Sequence, residues 1–128
     1  MKMIKKLTGL FVLLVAFFAL VGCAPKDPAA AKEKLEKAEY VVVENKLVIP
    51  GALKLVGVDG IDSVLVATKS VEDGVIAVTL VYFGEKADAK AAYEKVQEYA
   101  EKEDKDSVVK QSGNWIYFGS EQAVKDFN

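Results

Sequence analysis

Between residues 29 and 127 the apolar side chains change their spacing several times, and each change marks the boundary between two kinds of element. A helix repeats its buried face every three to four residues and a strand every two. Asp27-Pro28 offers a good N-cap followed by the residue best tolerated at the first helical position. Ala29 to Glu39 then sets Ala31, Leu35 and Ala38 on one face among Ala, Lys and Glu, which predicts a helix. Tyr40-Val41-Val42-Val43 is β-branched and reads as a strand. Leu47-Val48-Ile49 is a short second apolar run that Pro50-Gly51 is expected to end, and Leu53 to Val58 fits either period. Ile61–Thr68 and Gly74–Phe83 are strand-like, and the turn over residues 70–74 predicts a hairpin between them.

The clearest helix is Asp88–Glu103, where Ala89, Ala92, Tyr93, Val96, Tyr99 and Ala100 recur at three and four residues among Lys, Glu and Gln. Val108–Gln111 and Trp115–Phe118 flank Ser112-Gly113-Asn114 and predict a second hairpin. Glu121–Phe127 is long enough for a closing helix. The order helix–strands–helix–hairpin–helix predicts an α+β fold, an antiparallel sheet with helices packed on it. Tyr82-Phe83-Gly84 and Tyr117-Phe118-Gly119 each close a strand before a helix. Shared local geometry, with or without an old duplication, accounts for such an echo, and a single Gly is not a phosphate-cradling loop. With its Ala/Lys/Glu helix ending near a Tyr, its strand ending in an aromatic pair and its Ser-Gly-x-aromatic hairpin, the chain resembles small uncharacterised lipoproteins of Gram-positive bacteria. That resemblance spans most of residues 27–127 and implies this fold rather than an activity.

The first 22 residues stand apart. Lys2, Lys5 and Lys6 make a basic start, and Leu7 to Val21 is apolar apart from Thr8 and Gly9. This is the layout of a secretory signal, and the apolar run falls short of the roughly 20 residues a membrane-spanning helix needs. It ends in Leu20-Val21-Gly22-Cys23, which resembles the lipobox of bacterial lipoproteins at all four positions. The resemblance implies a diacylglyceryl thioether on Cys23 and cleavage between Gly22 and Cys23. It also implies an outward-facing protein held to the cell membrane by lipid. Ala24 is not the Asp that resembles an inner-membrane retention signal, so sorting to an outer membrane is open where the host has one. The expected organisation is a signal peptide over 1–22, a lipidated Cys and short tether over 23–28, and a single domain over 29–128. Ala24 to Pro28 reaches at most about 17 Å when extended, which keeps the domain near the bilayer. Cys23 is the only cysteine, so no internal disulfide can form.

Beyond Gly22 there remain 14 lysines against 19 acids, a net charge of −5. That sign disfavours nucleic acid, whose phosphates are bound through clustered Lys and Arg. The chain has no His and no Arg. It therefore lacks the commonest general acid–base side chain, the commonest metal ligand and the bidentate clamp for phosphate. No cofactor and no metal site is expected.

Four groups of residues invite a chemical reading. Glu98, Glu101, Glu103, Asp104 and Asp106 crowd the end of the long helix, without the alternating ligands and Gly of a calcium loop, and read as a solvated helix end. Asp59-Gly60-Ile61-Asp62 is a pair of acids about a Gly, most simply a turn; carboxylate catalysis would need the pair set about 5–9.5 Å apart across a cleft. Five serines and many lysines leave a Ser–Lys hydrolase conceivable, but none forms Ser-x-x-Lys at a predicted helix start. Trp115 and Tyr117 alternate on one strand and so share a face. Exposed, they would suit a sugar, peptide or protein partner, and the module's expected partner is an envelope protein or polymer; packed under a helix, they are core. The expected function is a non-enzymatic binding or interaction module of the cell envelope, with a small carboxylate- or Ser–Lys-based hydrolase as the alternative.

Overall fold

The computed structural model describes residues 24–128, so the leader, its Leu20-Val21-Gly22 motif and Cys23 lie outside the described residues. The elements run α1 (Pro28–Lys37), β1 (Val41–Glu44), α2 (Val48–Leu55), β2 (Ile61–Val71), β3 (Gly74–Phe83), α3 (Lys86–Glu103), β4 (Val108–Ser112), β5 (Trp115–Gly119) and α4 (Glu121–Phe127). The five strands form one antiparallel sheet in the order β1-β2-β3-β5-β4. The fold is α+β.

Helices cover both faces of the sheet. On one face Val42, Leu65, Ala67, Val78, Leu80, Trp115 and Tyr117 pack against Ala31 and Leu35 of α1 and against Ala123, Val124 and Phe127 of α4. On the other, Val64, Val81, Phe83, Ile116 and Phe118 pack against Ala89, Ala92, Val96 and Ala100 of α3 and Leu53 of α2. This explains why Trp115-Ile116-Tyr117-Phe118 is an unbroken apolar run: all four are buried, two under each layer of helices. A strand covered on both sides loses the polar alternation of a half-exposed one.

The run Leu47-Val48-Ile49 is not a strand that Pro50 ends. It opens helix α2, with Pro50 and Gly51 inside. Three local facts account for this. Pro50 lies in the first turn, where the missing N–H would have had no helical partner. The Asn45 side-chain carbonyl accepts from the Ile49 N–H (2.9 Å), and the Gly51 N–H already reaches Leu47 (3.0 Å). Ile49 and Leu53, four residues apart, both turn inward to the second core.

The two Tyr-Phe-Gly segments also differ. Tyr82 and Tyr117 share one face and Phe83 and Phe118 the other, but α3 goes to the Phe face and α4 to the Tyr face. Gly119 has φ +153°, and a Cβ there would lie 2.2 Å from the Ala77 carbonyl oxygen. A Cβ on Gly84 would meet nothing within 4 Å. Only the second glycine is required by close backbone approach.

The segment read as a tether is part of the fold. Ala24 packs against the first core. The Pro25 carbonyl accepts from the Trp115 indole Nε1–H (2.6 Å), and the Lys26 carbonyl accepts from the Tyr82 hydroxyl (3.1 Å). The Asp27 carboxylate caps α1 through the Ala30 N–H (2.8 Å). Trp115 and Tyr82 are cross-strand partners, and Tyr82 is paired in turn with Ser63. The chain therefore enters at the end of the sheet where β2 begins, β3 finishes and β4 turns into β5. This is the Gly60 end; the opposite one, at the β2–β3 turn, is the Asp73 end.

Candidate functional site

Trp115 and Tyr117 offer no partner surface. Each is 1% exposed, and both stack edge-on against Phe127, with ring centroids 5.1 and 4.7 Å away. Their polar atoms are spent inside the fold: the indole on Pro25, the Tyr117 hydroxyl on the Asn128 side chain. A binding role for this strip is corrected to a core role, because α4 and the entering segment cover the face it would have used.

A cleft of about 410 Å³ opens instead at the Gly60 end, between the close of β1, α2 and the start of β2. Val58 and Val64 form a buried floor, with Pro50 and Ile61 half-buried beside them. Glu44, Asp59 and Asp62 stand on its walls with Lys46 and Lys54. The sequence pair Asp59 and Asp62 is thus brought to a cleft, and for an identifiable reason. Ile61 pairs with Phe83, but Ser63 pairs with Tyr82, so Asp62 is an extra, bulged residue. A bulge of this kind re-aims a side chain and increases the local twist. Gly60 takes φ +83°, where a Cβ would come within 2.5 Å of the Asp88 carboxylate, so the chain passes tightly under the first turn of α3. Its carbonyl accepts from the Gly84 N–H (3.0 Å), which ties the cleft to the end of β3.

The cleft suits reversible binding of a small polar ligand with apolar parts: its volume lies within the range of ligand pockets, and its walls carry both signs of charge. Among the described residues no group of three or more Asp, Glu or Cys is arranged to hold a metal ion. The Ser63 hydroxyl donates to the Asp62 carboxylate (3.2 Å). Where lysine amines of the described residues make hydrogen bonds, they go to backbone carbonyls, Lys34 to Phe127 and Asn128 and Lys95 to Gly57. Ser107 and Lys110 are three apart, but Lys110 is on β4, where that spacing sends side chains to opposite faces. A larger but flatter hollow between α3 and β4 is lined by Lys90, Tyr93, Val109, Lys110 and Gln111 and gathers no acid.

The acids closing α3 face solvent, and Asp104 uses its carboxylate on the Asp106 N–H (2.9 Å). Among the described residues, Tyr99 on α3 has its phenol raised by burial and then by the Glu103 charge, and the other groups with displaced pKa values lie around α4. The Tyr40 hydroxyl donates to Asp126 (2.6 Å); burial, and then this bond to a carboxylate, raise the phenol well above its ordinary range. Partial burial lowers the Lys34 amine, opposed by the Asp126 charge, while it caps the last carbonyls of α4 (2.9 and 2.8 Å). These contacts fasten α4 to α1.

The large exposed apolar side chains among the described residues fall into two groups: Val41, Val43, Leu47, Val48, Leu55 and Val56 in or beside β1 and α2, and Val71 and Val75 flanking the β2–β3 turn at the Asp73 end. On the face where α3 lies over β3, β5 and β4, no helix among the described residues buries β1, and Val41 is 64% and Val43 59% exposed. No helix among the described residues is long and apolar enough to cross a membrane.

No protein family, curated protein or solved structure matches this chain.

Proposed function

We propose that this chain is a lipid-anchored, outward-facing protein of the bacterial cell envelope whose single domain is a binding module, with the cleft at the Gly60 end as its ligand site. The observation that carries the reading is a junction in the sequence. A basic start and an apolar run lead directly into Leu20-Val21-Gly22-Cys23, in the order of a lipoprotein leader. Two or more acyl chains on one residue hold a protein stably, where a single chain holds only marginally at roughly 0.8 kcal/mol per buried CH₂.

Binding, rather than catalysis, is favoured by the make-up of the cleft. Its lysines and carboxylates are exposed on the rim, and its floor is aliphatic. The partner is an envelope protein or polymer, and nucleic acid is disfavoured by the net charge of −5 that remains beyond Gly22. In-cell cross-linking tests this reading, comparing wild type with Lys54→Glu and Asp62→Lys. One envelope partner captured by wild type and lost in both variants is the expected result; identical capture by all three chains would remove the cleft from the account.

A small carboxylate-based hydrolase is the second reading. It draws on Glu44, Asp59 and Asp62 lining one cleft. Turnover of a glycoside or ester substrate, lost in both Asp59→Asn and Asp62→Asn, would move the assignment to it.

A further inference from the structure

The five residues that sequence alone makes a free tether are bound to the domain, and this bears on how the domain meets a membrane. Ala24 is packed into the first core, Pro25 and Lys26 are held through their carbonyls by Trp115 and Tyr82, and Asp27 caps α1. Consecutive Cα atoms are about 3.8 Å apart, so Cys23 is at most one residue from a fixed point on the Gly60 end. We infer that residues 24–27 are a bracket that seats the Gly60 end of the sheet, with its cleft, against the polar surface of the bilayer. This rests on the lipid-anchored reading above.

The exposed side chains at the two ends differ mainly in their apolar members. The Asp73 end carries Glu72 and Asp73 with Lys69 at the β2–β3 turn, Glu103, Asp104 and Asp106 with Lys102 and Lys105 where α3 stops, and Glu121 where α4 starts. The Gly60 end mixes signs, with Lys26, Lys46, Lys54 and Lys86 near Asp27, Glu44, Asp59, Asp62, Glu85 and Asp88. Leu47 and Val48, 81% and 74% exposed at the corner where β1 leaves the sheet, add apolar side chains beside Lys46. That pairing of apolar and basic groups suits the headgroup boundary. A cleft so placed meets lipid headgroups or the membrane-proximal parts of other envelope components before it meets anything free in solution.

The test uses the full lipidated protein in vesicles of phosphatidylethanolamine and phosphatidylglycerol that carry a headgroup quencher. The thioether consumes the Cys23 thiol, so a fluorophore on one introduced cysteine reports a single site. Labels at Asp62→Cys and Lys86→Cys, at the Gly60 end, should be quenched several-fold more than labels at Asp73→Cys and Glu121→Cys. A flexible Gly/Ser spacer inserted between Cys23 and Ala24 leaves the fold untouched and should abolish the difference. Equal quenching at all four positions without the spacer, or a reversed order, would overturn the inference. The mass of the N-terminal peptide is read first. Absence of lipid on Cys23 overturns the anchored reading and the inference with it, whereas equal quenching with the lipid present overturns the orientation alone.

Discussion

The indole N–H of Trp115 donates to the carbonyl of Pro25, 90 positions earlier in the chain, at 2.6 Å. This bond makes the entry of the chain part of the core: it occupies the polar atom of a ring that is otherwise buried, and it fixes the backbone just beyond Cys23. Trp115→Phe removes the donor and leaves space beside Phe127. The expected cost is about 1–3 kcal/mol, read by chemical denaturation, with faster amide exchange confined to residues 24–30.

The two glycines that follow a Tyr-Phe pair give opposite predictions. Gly119→Ala would push a methyl group to 2.2 Å from the Ala77 carbonyl at a positive φ. A loss of about 3 kcal/mol or more is expected. Gly84→Ala meets open space and should stay within about 0.5 kcal/mol of wild type. Thermal melts of the two variants side by side check the contrast.

Tyr40 predicts a dependence on alkaline pH. Its phenol is raised above the ordinary 10.0 by burial and by Asp126. The folded protein keeps the proton that the unfolded chain gives up, so Tyr40 adds stability that is complete below pH 10 and is lost as pH climbs toward the raised folded value. Lys34 contributes in the opposite sense. Its lowered amine loses a proton before that of the unfolded chain, so its contribution improves between its folded pKa and 10.5. In Tyr40→Phe, stability near neutrality should fall by about 1 kcal/mol, and the decline above pH 10 should be shallower than in wild type. An unchanged alkaline slope would deny Tyr40 this role.

Much of the fold is legible because local chemistry and packing agree. Asp27-Pro28 caps a helix wherever it stands, and the spacing of Ala89, Ala92, Val96 and Ala100 is the face that meets the sheet. The sequence misleads at Val48–Leu55 because Pro-Gly usually breaks an element. Here Pro50 falls in the one turn that tolerates it, next to the Ile49 N–H that the Asn45 side chain holds. The cleft is half legible. Asp59 and Asp62 are conspicuous, but a bulge depends on the register with β3, and Glu44, Lys46 and Lys54 arrive from other elements. Whether Trp115 and Tyr117 face solvent was equally beyond a local reading, since it depends on α4 crossing the sheet.

Leu53 is the side chain that holds α2, and so one wall of the cleft, onto β2; it is fully buried. Leu53→Ala should cost about 2–5 kcal/mol. Exchange should rise first in residues 45–60, ahead of global unfolding. Val43→Lys, on the exposed outer face of β1, should leave stability within about 0.5 kcal/mol.

The central claim is that lipid on Cys23 fastens this domain to a membrane, and metabolic labelling with a fatty-acid analogue tests it most directly. Wild type should take up label and fractionate with membranes, and its mature chain should begin at Cys23. Cys23→Ala should carry no label. Equal labelling of the two chains, or a labelled chain that retains residues 1–22, would contradict the account.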